Sequence, residues 1–199
     1  MGLGPLRVFN DDIFCPGAIW PLHPHQEIEI VTYCSMGEFK HADQGGEGDI
    51  LQPGWIQHIT MGKGMWHSEI NNLPDAPLRF IQMWFRPNQT GLEPSVEHKS
   101  VSKEERTNRL LPLVSGRHEE ALPIHSAAHI FSCFLQRGKK TDYTPPEGHG
   151  HYLYVLEGGP VRVNEEPIEH LGAAIIHNQD RLRIRAERDA ELLMVEVKL

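Results

Sequence analysis

Cysteine is scarce in this 199-residue chain. Cys15, Cys34 and Cys133 are odd in number and widely spaced, which gives neither a disulfide framework nor a paired-thiolate zinc motif. Each reads as a small buried or half-buried residue rather than a nucleophile. Long apolar runs are absent too: no stretch approaches the roughly 18 residues that a bilayer span needs, and the N-terminus lacks the basic start and hydrophobic run of a secretory signal. The expectation is a cytoplasmic protein with no membrane partner. Positive charge is short, since 19 Lys and Arg face 27 Asp and Glu for a net charge of −8. That balance excludes a sequence-independent nucleic-acid surface, which needs clustered cations to neutralise phosphates. Low-complexity tracts are missing as well, and 18 glycines and 15 prolines spread along the chain favour many short strands joined by turns over long helices. The fold class expected is all-β.

What the chain does have is histidine in two short clusters, Pro21-Leu22-His23-Pro24-His25 and His67-Ser68-Glu69. Residues two apart on a strand point to one face, so each cluster aims two metal-binding side chains the same way. If both strands line one barrel, His23, His25, His67 and Glu69 converge as three imidazoles and a carboxylate. Such a set suits iron(II), manganese, nickel, copper or zinc better than calcium or magnesium. Thirteen histidines make some chance proximity unavoidable, so the flanking pattern matters. Gly17 precedes His23, Glu29 follows His25, and Gly37 closes the apolar run Ile30-Val31-Thr32-Tyr33, giving a strand bounded by turns. Gly48-Asp49-Ile50-Leu51-Gln52-Pro53-Gly54 supplies a Pro-Gly turn ahead of another strand.

These two stretches resemble the motifs of the cupin superfamily. Gly2-Leu3-Gly4-Pro5-Leu6-Arg7-Val8, His23-Pro24-His25, Pro53-Gly54, Gly62-Lys63-Gly64, His67-Ser68-Glu69 and Gly91-Leu92-Glu93-Pro94-Ser95 together resemble the pirin family in order and spacing, closely to about residue 97 and loosely beyond. The resemblance implies a bicupin of two tandem jelly-roll-like barrels, with one divalent transition metal per chain in the first. A conventional cupin would use His23, His25, Glu29 and a histidine after the Pro-Gly turn, here His58. The pirin pattern implies His23, His25, His67 and Glu69 instead, leaving Glu29 to orient an imidazole. Pirins commonly carry some tens of residues before the Gly-x-Gly-Pro-Leu segment, so a barrel edge is expected to need local rearrangement or a dimer to cover it.

The expected domains are residues 1–100, a linker at 101–115 with a short helix around Lys103-Glu104-Glu105-Arg106, and a second barrel at 116–199. In the second half Ile130–Leu135, Tyr152–Leu156 and Leu192–Val197 read as strands. Gly148-His149-Gly150-His151 offers another His-x-His pair, but no later His-x-Glu follows, and the resemblance implies a second barrel without metal. Gln82 and Trp84 share one face of Phe80–Phe85 and are candidates for a pocket wall.

The resemblance also implies an activity: dioxygenase cleavage of quercetin or a related flavonol or polyphenol, with an aromatic small molecule and O2 as partners and iron(II) the first choice of metal. Glu69 is then the candidate base for the substrate hydroxyl as well as a metal ligand. The alternative from another class is a non-catalytic metal-binding regulator that binds a protein partner, nuclear if the chain is eukaryotic. A third reading is a structural bicupin whose histidines are merely packed.

Overall fold

The computed structural model describes residues 2–46 and 48–199. Among these residues the secondary structure is β except for one 3-10 turn, Glu104–Arg106, and no helix is long and apolar enough to cross a membrane. The chain divides into two compact units, one holding Leu6–Val101 with Leu122–Ser126, the other Ser102–Ala121 with Ala127–Leu199 and Leu3–Pro5.

The first unit contains β1 (Leu6–Phe14), β2 (Ile19–His25), β3 (Glu29–Met36), β4 (Phe39–Asp43), β5 (Ile50–Leu51), β6 (Ile56–Thr60), β7 (Met65–Asn71), β8 (Leu78–Phe85) and β9 (Ser95–Lys99). They form a sheet ordered β1-β8-β3-β6-β9 and another ordered β2-β7-β4-β5. Cys34 and Phe80 from the first sheet pack with Phe39 and Leu51 from the second, so the two inner faces close over one core. Phe80 meets Phe14 edge-on at 5.1 Å and Phe39 at 4.9 Å. The register of β1 on β8 is pinned by Arg79, whose Nε and Nη2 donate to the two oxygens of Asp11 at 2.8 and 2.6 Å.

Turn chemistry sets where the site strands begin. The Trp55 amide donates to the Gln52 carbonyl at 2.9 Å across Pro53-Gly54, with Gly54 at φ 89°, and β6 starts two residues later. Gly62 turns the chain from β6 into β7 at φ 44°, and a Cβ there would lie 2.0 Å from the Leu92 carbonyl oxygen. Only glycine fits both the dihedral and the space.

The second unit contains β10 (Leu111–Ser115), β11 (Ala128–Leu135), β12 (Lys140–Tyr143), β13 (His149–Gly158), β14 (Val161–Val163), β15 (Glu166–Ile168), β16 (Ala173–Ile176), β17 (Leu182–Ala186) and β18 (Ala190–Lys198). Its sheets run β10-β11-β18-β13-β16 and β12-β17-β14-β15. Phe131, Leu153, Leu192 and Met194 from one pack against Val161, Leu182 and Ile184 from the other.

Of the stretch 101–115 read as a linker, residues 102–115 are built into the second unit. Arg106 is buried and paired with Glu191, Lys103 lies 3.5 Å over the Phe134 ring, and Leu111–Ser115 is a fully buried strand. Pro112 conceals that strand in the sequence; it is tolerated because β10 ends its sheet, where one row of amides has no ladder partner. Gly62→Ala should destabilise the first unit by about 1–3 kcal/mol through its forced left-handed dihedral and the backbone clash; a lowered urea midpoint with an unchanged second unit is the expected readout.

Candidate metal centre

Strand β7 lies between β2 and β4, with His23 opposite His67 and His41 opposite Glu69. Side chains along β7 alternate, so His67, Glu69 and Asn71 all turn inward and are buried. A bulge between Trp20 and His23 resets the register so that His23 and His25 reach His67. The three imidazoles pack with ring centroids 4.9 Å (His23 and His25), 4.4 Å (His23 and His67) and 5.4 Å (His25 and His67) apart. One nitrogen from each lies within 4.8 Å of the others.

The hydrogen bonding around these rings leaves lone pairs at the centre. His23 Nδ1 donates to the Pro21 carbonyl at 2.7 Å, which orients the ring and frees Nε2. Both nitrogens of His67 are buried without a partner among the described residues. Burial, followed by the neighbouring His23, His41 and His25, pushes the His67 pKa down to about 3. Burial and His23 lower that of His25 as well. The His67 ring is therefore neutral at physiological pH, the state a metal requires. A neutral, unpaired imidazole in a buried site fits a borderline transition metal, so these residues suit the group that the fold implies.

Glu69 sits two residues beyond His67 on the same face and lines the same cavity, though it is not one of the three groups that converge within 4.8 Å. Burial raises its pKa to about 7, opposed by the hydrogen bond from Gln82 Nε2 and reinforced by Asp12. Trp84 Nε1 donates to Gln82 Oε1 at 2.7 Å, which fixes the amide so that its NH2 faces Glu69. The cavity measures about 410 Å³, within the range of small-molecule sites, and its walls are Trp20, Trp84, Phe14 and Phe80 with Gln82 and Asp12.

Glu29 and His58 stand apart from this centre. His58 Nε2 lies 3.2 Å from Glu29 Oε1, and the carboxylate also accepts from the amides of His125 and Ser126 at 2.7 Å each and from the Ser126 hydroxyl. Burial pushes the Glu29 pKa up, but these donors outweigh it and hold it below the usual range. Glu29 thus orients His58 and the Leu122–Ser126 segment, not an imidazole of the convergent set.

Three residues of this site went unread in the sequence. His41 is 2% exposed, its ring 5.2 Å from His67 and its Nε2 unpartnered. Asp12 projects into the cavity with its pKa raised by burial and by Asp11. Trp20 forms the mouth, 56% exposed. The signals available were the alternation Asn10, Asp12, Phe14 and the pair His41-x-Asp43.

Two closed β units of matching strand order, the first with an inward His-rich centre, define a bicupin. Residues 4–85 match pirin and residues 113–197 match the quercetinase C-terminal cupin domain. A pirin-like protein of Caulobacter vibrioides is 34% identical over 198 residues, covering 98% of this chain and 84% of the relative. The quercetin 2,3-dioxygenase of Escherichia coli K12 is 25% identical over 197 residues, covering 99% and 84%. Among solved structures, the bacterial pirin YhhW of Escherichia coli in complex with nickel(II) superposes with a TM-score of 0.92 at 25% identity, covering 100% of this chain and 84% of that one. The chain belongs to the pirin family.

Two measurements follow from the geometry. His67→Ala should empty the metal site, whereas His58→Ala should leave it filled, as read by bound metal after reconstitution. In metal-free protein the raised pKa of Glu69 means that its folded form holds a proton the unfolded form has lost, so its contribution to stability is lost as pH rises from its ordinary range through about 7. Lowered imidazole pKa values act in the opposite direction at acid pH, so the comparison must be a difference. The urea midpoint of metal-free Glu69→Gln should gain on the unmodified chain as pH rises from about 4.5 to about 7.

Proposed function

We propose that this protein is a metal-dependent dioxygenase that cleaves quercetin or a related flavonol or polyphenol with O2. It would use one divalent transition metal at this centre, iron(II) first, held by His23, His25, His67 and Glu69. The observation that carries the reading is the convergence of three imidazoles beside a buried carboxylate, within a cavity walled by tryptophan. The similarity to the quercetin 2,3-dioxygenase of Escherichia coli supports the same substrate class. When bound, a metal of this kind supplies Lewis acidity at substrate oxygens and stabilises phenolate or enolate charge.

The chain's own residues supply the rest. Trp20 and Trp84 give flat apolar walls against which an aromatic ring system stacks, and the cavity volume of about 410 Å³ excludes bulk water once filled. Glu69 accepts the proton of the substrate hydroxyl. In the metal-free protein burial raises its pKa to about 7, and a bound cation would draw it back toward the ionised form that accepts a proton. Gln82 holds one oxygen of Glu69 with its amide and leaves the other for this role. Ligation and base catalysis compete for that carboxylate, since a ligand must be ionised and a base must release its hold to accept a proton.

Glu69→Gln separates these roles by keeping the shape and removing the basicity. Metal should remain on three imidazoles while quercetin turnover falls by roughly 10² to 10⁴. Metal content is measured with oxygen uptake, because metal loss would also give a dead enzyme. Full turnover by metal-loaded Glu69→Gln removes Glu69 as the base. No oxygen uptake by the unmodified, metal-loaded chain with any flavonol replaces the enzyme reading with that of a regulator binding a protein partner.

A further inference from the structure

The second barrel also gathers histidines around a carboxylate, at residues the first site does not use. Glu196 is fully buried on β18, directly opposite His129 on β11 and His151 on β13. One oxygen, Oε2, accepts from His151 Nε2 at 3.0 Å and from the Tyr143 hydroxyl. The other, Oε1, is buried without an aligned hydrogen-bond donor. His129 Nε2 lies 4.0 Å from that oxygen, and one ligand atom from each of His129, His149 and Glu196 lies within 4.8 Å of the others. Both rings are anchored through their far nitrogens. His149 Nδ1 donates to the Glu147 carbonyl at 3.0 Å, and His129 Nδ1 bonds the Ser115 hydroxyl at 2.7 Å. This outer anchoring, which leaves Nε2 pointing at the shared space, is how metal-ligating histidines are held.

One group stands in the way. Arg117 Nη1 lies 2.6 Å from Glu196 Oε1, and its Nη2 donates to the Tyr143 hydroxyl at 2.6 Å. The guanidinium is the countercharge of a buried carboxylate, and its side chain is 33% exposed, so it has solvent to move into. His149 also lines an open groove of about 570 Å³ with Glu147 and Asp180, so this member of the cluster borders solvent.

We propose that His129, His149 and Glu196 form a second divalent transition-metal site in which Arg117 takes the cation's place when no metal is bound. Two imidazoles and a carboxylate on one side of an ion leave its other positions open to water or a small oxygen ligand, and select iron, nickel, cobalt or zinc over calcium and magnesium. Metal–ligand distances of about 2.0–2.2 Å need the three donors to close by less than roughly an ångström. His149 is half-buried at the first position of β13, directly after Gly148 at φ 74°, and is the donor with most room to move. His151 is no ligand: its Nε2 is committed to Glu196. The site therefore differs from a His149-x-His151 pair.

The test is nickel(II) binding by the full chain carrying His23→Ala and His67→Ala, which disable the first centre. One equivalent should remain, with an anomalous scattering peak between His129 and His149 in crystals of the unmodified, metal-loaded protein. Adding His149→Ala or Glu196→Gln should abolish that equivalent. Of these, His149→Ala alters a half-buried residue at the start of β13 and keeps the test valid if Glu196→Gln fails to fold. Arg117→Gln should tighten binding by roughly tenfold or more, because a competing cation is removed. Absence of the equivalent, its survival in His149→Ala, or weaker binding in Arg117→Gln would each overturn the proposal.

Discussion

A buried imidazole with both nitrogens unpaired is the constraint around which the first barrel is arranged. Each unsatisfied polar atom costs on the order of 1–3 kcal/mol, and His67 carries two. Among the described residues no donor reaches it, and its ring neighbours are the imidazoles of His23, His25 and His41. Protonation would add charge to a site that already disfavours it. In the proposed reading a metal cation would resolve the problem by accepting lone pairs from His23, His25 and His67 together. The walls of the cavity then define what else can approach, and they are aromatic.

Two glutamates in this barrel show how the number of donors divides structural from chemical roles. Glu29 is as buried as a side chain can be, yet two amides, a hydroxyl and His58 hold it ionised, and its function is to tie segments together. Glu69 receives a hydrogen bond from Gln82 and faces Asp12, so burial prevails and its proton affinity rises. Residue type alone does not distinguish them. The histidines divide similarly, with His58 committed to a carboxylate and His67 committed to nothing in the protein.

That division explains what could be read in the sequence. The convergence of His23, His25 and His67, with Glu69 lining the same cavity, was legible because strand alternation puts residues two apart on one face, and the family pattern favoured this set over Glu29 and His58. His41 and Asp12 were not legible, since each joins the site through register with a strand distant in sequence: His41 by lying opposite Glu69, Asp12 by the inward face of an edge strand. Strand β10 was hidden by Pro112, whose effect on a strand depends on whether its amide is needed. The all-β class followed from turn residues, while the assignment of 102–115 to the second unit depended on Arg106 finding Glu191, a partner 85 positions away.

The two barrels share a topology and place their polar groups differently. In the first, β7 carries His67, Glu69 and Asn71 inward from its central position in the four-stranded sheet. In the second, β17 holds the corresponding place in its sheet but turns Leu182, Ile184 and Ala186 inward, and these join the apolar core. A ligand set on that sheet is therefore ruled out by the side chains themselves. The polar cluster of the second barrel lies on β11, β13 and β18 of the opposite sheet, where three adjacent strands present His129, Glu196 and His151 in a row. A row across three strands leaves no short motif, because its members are separated by dozens of residues in sequence and joined only by register. The same alternation that makes a His-x-His pair conspicuous thus makes a cross-strand site invisible until the strands are paired, and Glu196, buried between two histidines and an arginine, is where the second barrel concentrates its buried charge.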